Sequence, residues 1–402
     1  MALALVLTLP LVALAAVGCA GLGPVVIGIS EHPPAGSYGR GKLAALPSYT
    51  CSLTDPTPFP VDLLGWDLSG LNVSDRIADL LQADFDSRTR WPAVLPAPFD
   101  PQAIMDLGRN PGLGVRSLHE RGITGKGVGV AVIDRALLVE HEEYADRLRY
   151  YEEIHCLDDT AEMHGVTVAS IAVGRTVGVA PGADLYFIAE THGTYSGSTF
   201  DCNFTYLAQS IDRILEVNDL LPDGAKIRVI SISAAWTTGE TGADAVDSAV
   251  RRAKKAGIFV ISSRLDNTHG LRFHGLERDP LADPEASASY RPISGWGYYS
   301  AQYPGAGVRD ILCVPMNSRT AAAPDGPDEY AFYRTGGWSW CAPYLAGLYA
   351  LACQVDPDIT PDKFWSTALD TGQSIDLSVH EEGCRAVIVQ PVRLIEALES
   401  GS

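Results

Sequence analysis

A serine, a histidine and an aspartate stand at positions where their side chains could catalyse acyl transfer. Ser339 follows two glycines and precedes an apolar, alanine-rich run. This pattern predicts a helix beginning near the serine, where backbone N–H groups and the positive end of the helix dipole accompany its hydroxyl. Asp134 ends an apolar run, and His164 opens a run of small residues. The three residue types provide a nucleophile, a proton carrier and an anion that orients the carrier.

Each of these residues, taken alone, has a simpler structural interpretation. A serine or an aspartate at such a place is usually a helix cap or a turn residue, and a lone histidine is usually a buried structural residue. The hypothesis of a catalytic triad therefore depends on all three residues together and on the segments around them.

The segments around the three residues resemble those of the subtilisin-like serine proteases, the subtilases. Residues 337–347 read G-W-S-W-C-A-P-Y-L-A-G where the family has G-T-S-M-A-x-P-x-x-A-G, and the histidine segment reads H-G-V-T-V-A for H-G-T-x-V-A. Residues 178–185 match the family's G-V-A-P-x-A-x-L, and Asp134 ends the run V-A-V-I-D as it does there. The order of Asp134, His164 and Ser339 along the chain is also that of the subtilases.

The resemblance covers residues 112 to 372 and implies a divergent, bacterial, exported serine endopeptidase. It implies that Ser339 is the nucleophile, His164 the general base and then acid, and Asp134 the orienting carboxylate, acting through an acyl-enzyme intermediate. The expected partner is a protein or peptide substrate. No cofactor is expected to be required, and no zinc-type ligand spacing occurs; calcium, as a structural ion, is suggested by family resemblance only.

The sequence diverges where the family places its oxyanion donor, an asparagine in A-A-G-N. Here R-L-D-N follows the apolar run at residues 257–263. An ungapped count puts Asp266 at the family position, and one inserted residue puts Asn267 there. Because an ionised aspartate cannot donate a hydrogen bond and would repel the oxyanion, we expect Asn267 to be the donor, with the backbone N–H of Ser339 as a second one.

A further segment, I-S-I-S-A-A-W at residues 230–236, resembles the family's V-I-N-M-S-L-G, which pairs with the substrate backbone. By this resemblance Ser233, Ala234 and Ala235 line the peptide-binding edge, since exposed strand edges capture extended peptides through main-chain hydrogen bonds. The alternative is a buried strand that ends in a polar turn. Two further departures are Arg135, a cation that could lower the pKa of the preceding aspartate, and Trp338, which could narrow the cleft or pack in the core.

The elements that must position these residues alternate between strands and helices. Five apolar runs predict strands, and five segments with helical spacing predict helices. Such strands predict one mainly parallel sheet covered by helices on both faces, a three-layer α/β architecture of the subtilisin type with catalytic groups at the carboxyl ends of the strands. The predicted strands are residues 128–133, 185–189, 227–232, 258–262 and 311–314, and the predicted helices are residues 103–109, 165–173, 206–218, 242–256 and 342–354.

The predicted peptidase domain spans residues 112–402. The chain before it divides into two segments. Residues 1–19 are nearly all apolar and predict a signal peptide, and a lipobox-like sequence would place a lipid, and so a membrane attachment, on Cys19. An ordinary signal peptide and an uncleaved anchor are the alternatives; each predicts export to the cell envelope or beyond. Residues 20–111 are proline-rich and predict an irregular extension that stays attached, with a helix at residues 72–82 capped by Ser74. The alternative, which the resemblance to the subtilases suggests, is a propeptide-like segment that is cleaved.

The net charge argues against one class of partner, and two functions other than a subtilisin-like protease are considered. A net charge of −19 over 402 residues argues against nucleic acid, whose binding requires basic patches. An α/β-hydrolase is disfavoured because the acid and the histidine precede the serine here. The remaining rival to the protease is a catalytically impaired binding or scaffold protein of the cell envelope with the subtilase fold.

Overall fold

The computed structural model describes residues 28–37, 39–50, 60–293, 310–376 and 385–401. The predicted signal segment and Cys19 lie outside these residues. The helices are α1 (Ile77–Leu80), α2 (Pro101–Arg109), α3 (Val115–Glu120), α4 (Met163–Val173), α5 (Thr205–Leu220), α6 (Ala243–Lys255), α7 (Leu265–His269), α8 (Trp338–Val355), α9 (Pro361–Thr371) and α10 (Pro391–Ser400).

The strands are distributed over several sheets. They are β1 (Gly28–Ile29), β2 (Gly41–Lys42), β3 (Val61–Asp62), β4 (Trp66–Asp67), β5 (Ala83–Asp86), β6 (Gly129–Asp134), β7 (Leu148–Glu153), β8 (Asp184–Ala189), β9 (Gly193–Ser196), β10 (Thr199–Cys202), β11 (Ile227–Ile232), β12 (Phe259–Ser262), β13 (Arg272–Arg278), β14 (Tyr290–Pro292), β15 (Ile311–Pro315), β16 (Arg319–Ala322), β17 (Tyr330–Tyr333), β18 (Gln373–Ser374) and β19 (Ala386–Ile388).

A six-stranded sheet of order β1-β7-β8-β6-β11-β12 forms the centre of the molecule, and its pairings are all parallel. Its inner strands β6, β8 and β11 are mainly apolar because both faces of the sheet are buried there. Val130 and Val132 of β6 belong to a core that includes residues of α4 and α8. Ala131 and Ile133 point the other way, into a core with α5 and α6. The predicted three-layer α/β fold is therefore confirmed.

One predicted strand lies in a different sheet. Residues 311–314 form β15, which pairs in parallel with β13 and β19 in a five-stranded sheet of order β14-β13-β15-β19-β18. The expectation that these residues extend the central sheet is wrong. The reason is β13, a strand that the sequence did not predict and that pairs with both β14 and β15.

The proline-rich segment contributes two strands to a separate four-stranded sheet of order β16-β17-β5-β3. β5 and β3 pair with each other in parallel, and β5 pairs antiparallel with β17, which in turn pairs with β16. The side chains of Leu63, Phe85 and Phe332 are at most 1% exposed in the core that this sheet shares with α2. The described part of residues 60–110 is thus built into the same core as residues 319–333.

The helix expected over residues 72–82 is much shorter, because α1 spans only Ile77–Leu80. Ser74 is not its cap: the N-cap residue is Arg76, which makes no side-chain capping hydrogen bond. Instead, the backbone N–H of Ser74 donates to Asn72 Oδ1 at 3.1 Å. This local turn, which the asparagine side chain closes, competes with helix formation at the predicted start.

Candidate active site

Three neighbouring strands of the central sheet end in polar residues at one edge. In the order β8, β6, β11, these residues are Glu190, Asp134 and Ser233. Asp134 lies opposite Ala189 in the parallel register, and the backbone N–H of Glu190 donates to Asp134 O at 2.7 Å. The carboxyl ends of parallel strands are where α/β proteins gather ligand-binding and catalytic groups.

His164 reaches this edge from the first turn of α4. Glu162 is the N-cap of the helix, and its carboxylate accepts a hydrogen bond from the backbone N–H of His164 at 2.7 Å. The next residue, Gly165, lets the helix approach the chain after β6 closely: a Cβ there would lie 2.1 Å from Arg135 O. The cap and the close approach fix the start of α4 beside the end of β6.

Asp134 and His164 are in hydrogen-bond contact. His164 Nδ1 lies 2.6 Å from Asp134 Oδ1, and the Asp134 carboxyl is 5% exposed. An ionised carboxylate only accepts hydrogen bonds, so Nδ1 carries the proton and Nε2 is left as the basic nitrogen. Burial lowers the pKa of His164, but the charge of Asp134 and its hydrogen bond raise it by more, so the net pKa lies above its usual value of 6.5.

Arg135 does not direct its charge at the preceding aspartate. Its guanidinium forms a bidentate ion pair with Asp158, in which Nε lies 2.9 Å from Oδ2. Only the backbone N–H of Arg135 contacts Asp134, at 2.8 Å from Oδ1. The hydrogen bonds and the charge of this pair hold the pKa of Asp158 below its usual value although burial raises it.

Ser339 is the second residue of α8 and is half-buried. Its hydroxyl donates to Ser233 O at 3.2 Å, and the Ser233 hydroxyl donates back to Ser339 O at 2.8 Å. Among the hydrogen bonds of the described residues, none joins Ser339 to His164. The ring of Trp340, one residue further along α8, packs edge-on against His164 with centroids 5.8 Å apart. The hydroxyl of Ser339 is therefore turned to the strand end of β11, while the neighbouring Trp340 of the same helix contacts His164.

A cleft of ≈ 400 Å³ opens over the ends of β6, β8 and β11. Asp134, His164 and all three residues expected at the peptide-binding edge line it: Ser233, Ala234 and Ala235. Ala235 is exposed, whereas the other two edge residues are half-buried. The backbone of Ala234 is not wholly free, because its carbonyl accepts a hydrogen bond from the N–H of Ser263 at 3.1 Å.

The two candidates for the oxyanion donor both lie in α7. The carboxylate of Asp266 accepts an ion-paired hydrogen bond from Arg264 Nε at 3.3 Å. The backbone of Asn267 is helical, and its side chain lies outside the described part of the structure. Asn267 as the donor thus stays a prediction.

Trp338 packs against the core and is absent from the lining of the cleft. Its Nε1 donates to Nδ1 of the fully buried His274 at 3.0 Å, which places the proton of that imidazole on Nε2. Burial and the charge of Arg272 lower the pKa of His274 to about 3, so this histidine is neutral over the working pH range. The tryptophan thereby ties the first turn of α8 to β13.

The described residues contain no group of three or more His, Cys, Asp or Glu side chains that could hold a metal ion. None of the helices within the described ranges has the length and apolar character needed to cross a membrane.

Sequence reasoning missed the acidic residues that surround the Asp134–His164 pair. Glu162 caps α4, Asp158 holds Arg135, and Glu190 lines the cleft beside Asp134. A signal existed for Glu190, because it directly follows an apolar strand as Asp134 and Ser233 do. No local signal pointed to Asp158, whose role depends on a partner 23 residues away.

Residues 125–293 of the chain match the Subtilase family. The matched segment contains Asp134, His164 and Ser233 and ends before Ser339. The fold also resembles that of a solved structure, the prenylagaramide maturation protease PagA, with a TM-score of 0.50 at 16% identity, covering 71% of this chain and 98% of that chain.

Similar curated proteins are proteases by name. An extracellular serine proteinase of Thermus sp. (strain Rt41A) is 25% identical over 251 residues, which are 61% of this chain and 55% of that protein. Subtilisin-like protease 4 of Arthroderma gypseum is 24% identical over 241 residues, 58% of this chain and 54% of that protein. Subtilisin-like protease PopC of Myxococcus xanthus is 23% identical over 277 residues, 61% and 56% respectively. The chain spans about half the length of the curated relatives it matches.

Proposed function

Because residues 125–293 match the Subtilase family and similar curated proteins are serine proteases by name, we propose that this chain is a serine endopeptidase of that family acting through Ser339, His164 and Asp134. The observation that carries the proposal is the 2.6 Å hydrogen bond between His164 Nδ1 and Asp134 Oδ1, made at the floor of a cleft large enough for peptide side chains. It leaves His164 Nε2 as a base in the tautomer that serine activation requires.

The reaction follows from these positions. The Ser339 hydroxyl attacks the carbonyl carbon of the scissile peptide bond while His164 Nε2 takes its proton. The tetrahedral intermediate collapses, the C–N bond breaks, and His164 returns the proton to the leaving amine. Water then attacks the acyl-enzyme by the same route and frees Ser339. Asp134 keeps its negative charge throughout and stabilises the imidazolium form of His164.

Substrate binding frees the nucleophile in this proposal. The hydroxyl of Ser339 is engaged with Ser233 O, a carbonyl at the expected peptide-binding edge. A backbone N–H of an extended peptide paired with residues 233–235 competes for that carbonyl. Once the carbonyl is taken, a rotation about χ1 of Ser339 turns its hydroxyl from the β11 end towards His164.

The negative charge that develops on the carbonyl oxygen of the substrate must be stabilised by hydrogen-bond donors. We assign the backbone N–H of Ser339 and the side-chain amide of Asn267 to this task. The ion pair of Asp266 with Arg264 supports the choice of Asn267, because the Asp266 carboxylate is engaged as a hydrogen-bond acceptor and does not donate to the reacting carbonyl.

Localisation and processing complete the proposal. Residues 1–19 direct export, with Cys19 as a site of lipid attachment, and residues 20–111 remain on the mature protein. The names of similar proteins, among them an extracellular proteinase, support export. Cell fractionation tests it: recovery of the full-length chain in the cytosol alone would contradict this part of the proposal.

A fluorophosphonate probe tests the assembled triad, because it reacts with an activated serine hydroxyl. We expect labelling at Ser339, located by peptide mass analysis, and its loss in Ser339→Ala and His164→Ala. Ser248→Ala is the matched control on α6, where that hydroxyl donates to Asp244 O, and it should label normally. A folded protein that does not label would favour the binding or scaffold function instead.

A further inference from the structure

Glu190 is a buried carboxyl group in the wall of the cleft. Its side chain is 2% exposed and lines the cleft together with Asp134 and His164. Its Oε1 is buried and has no hydrogen-bond partner among the described residues, and its Oε2 lies 3.8 Å from His192 Nδ1. Burying a carboxyl group without a partner is unfavourable, so a group that supplies one gains affinity from it.

Among the described residues, no nearby side chain neutralises this carboxyl group. The one arginine in the described lining of the cleft, Arg135, is paired with Asp158. Burial lowers the pKa of His192, which stacks on Phe204 with ring centroids 5.3 Å apart, and so this histidine is uncharged at neutral pH.

Two other carboxyl groups of the cleft add negative charge. Asp134 faces Glu190 from β6, and Glu162 lies at the start of α4. His164, on the same helix, shares its proton with Asp134. A lining with three carboxyl groups and one arginine that is already paired favours a cationic guest.

The position of Glu190 matches a side chain of a bound peptide. Ser233 and Glu190 follow β11 and β8, which flank β6 on opposite sides. Neighbouring strands lie about 4.8 Å apart, so the two residues are separated by roughly 10 Å across the Asp134–His164 pair. In a peptide paired with the edge at residues 233–235, side chains alternate in direction, and one of them can cross His164 to Glu190.

We propose that Glu190 is a specificity-determining residue that receives the cationic side chain of a lysine or arginine in the bound peptide. The proposal rests on the peptide-binding function proposed above. In the complex the ammonium or guanidinium group donates to the free Oε1 of Glu190, and the pair is shielded from water by the cleft.

The protonation of Glu190 gives the preference a pH dependence. Burial, and next the charge of Asp134, raise the pKa of Glu190 to about 8, while Arg135 lowers it. The free protein therefore carries a mostly protonated Glu190 at neutral pH. A cationic side chain favours the ionised form, so its affinity should rise as the pH increases towards about 8, whereas that of an uncharged analogue should not.

Binding to the Ser339→Ala protein measures the preference without turnover. We would use fluorescent peptides that are identical except for lysine, norleucine or glutamate at one scanned position. We expect lysine to bind more tightly than norleucine, on the order of tenfold or more, at one position. The ratio should rise between about pH 6 and pH 9, where lysine itself stays charged.

A second substitution assigns the preference to the carboxyl group. Adding Glu190→Gln should bring the lysine-to-norleucine ratio close to one, whereas Glu216→Gln, at an exposed glutamate of α5, should leave it unchanged. Equal binding of lysine and norleucine peptides, binding of neither, or a ratio that Glu190→Gln does not alter would overturn the proposal.

The two proposals fail separately. If the wild-type protein hydrolyses no peptide but the Ser339→Ala protein binds lysine peptides through Glu190, the protease function fails and the specificity stands. If Glu190→Gln does not fold, the pH dependence of the ratio in the parent protein decides, since a ratio that stays flat as the pH rises contradicts a role for Glu190.

Discussion

At the scale of single residues, the pair of Asp134 and His164 sets the pH range of the proposed reaction. Although burial lowers the pKa of His164, the charge and hydrogen bond of Asp134 raise it to a net value above 6.5. His164 must be neutral to act as a base, so activity should be lost as the pH falls through this raised pKa.

We therefore predict an acid limb of the kcat/KM profile with a midpoint above the usual histidine value of about 6.5. Asp134→Asn removes the charge that raises the pKa, so the midpoint should move to lower pH, and kcat should fall on the order of 10⁴-fold. The measurement is kcat/KM against pH for both proteins. A wild-type midpoint well below 6 would contradict the assigned roles of Asp134 and His164.

The oxyanion donor gives a second prediction at this scale. Asn267→Ala should lower kcat on the order of 10²- to 10³-fold with little change in KM, because the donor acts on the transition state. Asp266→Ala serves as the neighbouring control in α7 and should have a much smaller effect on kcat. The opposite order of effects would show that residue 266 holds the position next to the reacting carbonyl.

Asp134, His164 and Ser339 could be identified as candidate catalytic residues from the sequence because each lies in a local sequence motif. The partner of the Ser339 hydroxyl could not, since Ser233 is brought to it only by the packing of α8 against β11. The role of Glu190 could not be predicted from the sequence for a similar reason. Its proposed role depends on Asp134, which the parallel pairing of β8 with β6 places beside it.

At the scale of elements, the start of α4 must lie against the end of β6 for the Asp134–His164 contact to form. Gly165 permits this, because a Cβ there would lie 2.1 Å from Arg135 O, which is backbone and cannot move aside easily. The position has no room for a larger residue.

We predict that Gly165→Ala destabilises the folded state by about 1–3 kcal/mol and separates His164 from Asp134, with a large fall in kcat. Thermal unfolding and peptide hydrolysis measure the two effects. Gly224→Ala is the matched control, since a Cβ at Gly224 meets no atom within 4 Å. Full activity in Gly165→Ala would show that the approach of α4 is not needed.

The strands of the central sheet were predictable where burial on both faces leaves a continuous apolar run, as in β6, β8, β11 and β12. β13 was not, because its sequence R-F-H-G-L-E-R mixes charged and apolar residues. Its Arg278 is buried with hydrogen bonds to backbone carbonyls such as Ser318 O at 2.9 Å. Such compensation is set by tertiary contacts and leaves no periodic signal.

At the scale of the whole molecule, the proline-rich segment is part of the folded unit in the described residues. Phe85 of β5 packs against Trp91 and Phe332, with ring centroids 5.3 Å and 5.1 Å away. Asp84 accepts a hydrogen bond from the backbone N–H of Arg334 at 2.6 Å, four residues before α8 begins. Removal of this segment would therefore uncover a core and loosen the approach to Ser339.

We predict that Phe85→Ala lowers the free energy of unfolding by about 3–5 kcal/mol and that unfolding stays a single transition. Val94→Ala is the control, because that side chain is 73% exposed. Denaturant titration gives both values, and the intact mass of the mature protein shows whether the segment is retained. A mature protein that begins after residue 111, active and stable, would contradict this account.

Hydrolysis of a mixed peptide library by the purified mature protein, beside Ser339→Ala, tests directly whether Ser339 is the nucleophile of a protease. We expect cleavage by the wild-type protein, with products that reveal its sequence preference, and no cleavage by the variant. Cleavage by both proteins would show that Ser339 is not the nucleophile. Cleavage by neither, with both folded, would contradict the protease function and leave a subtilase fold that only binds its partners.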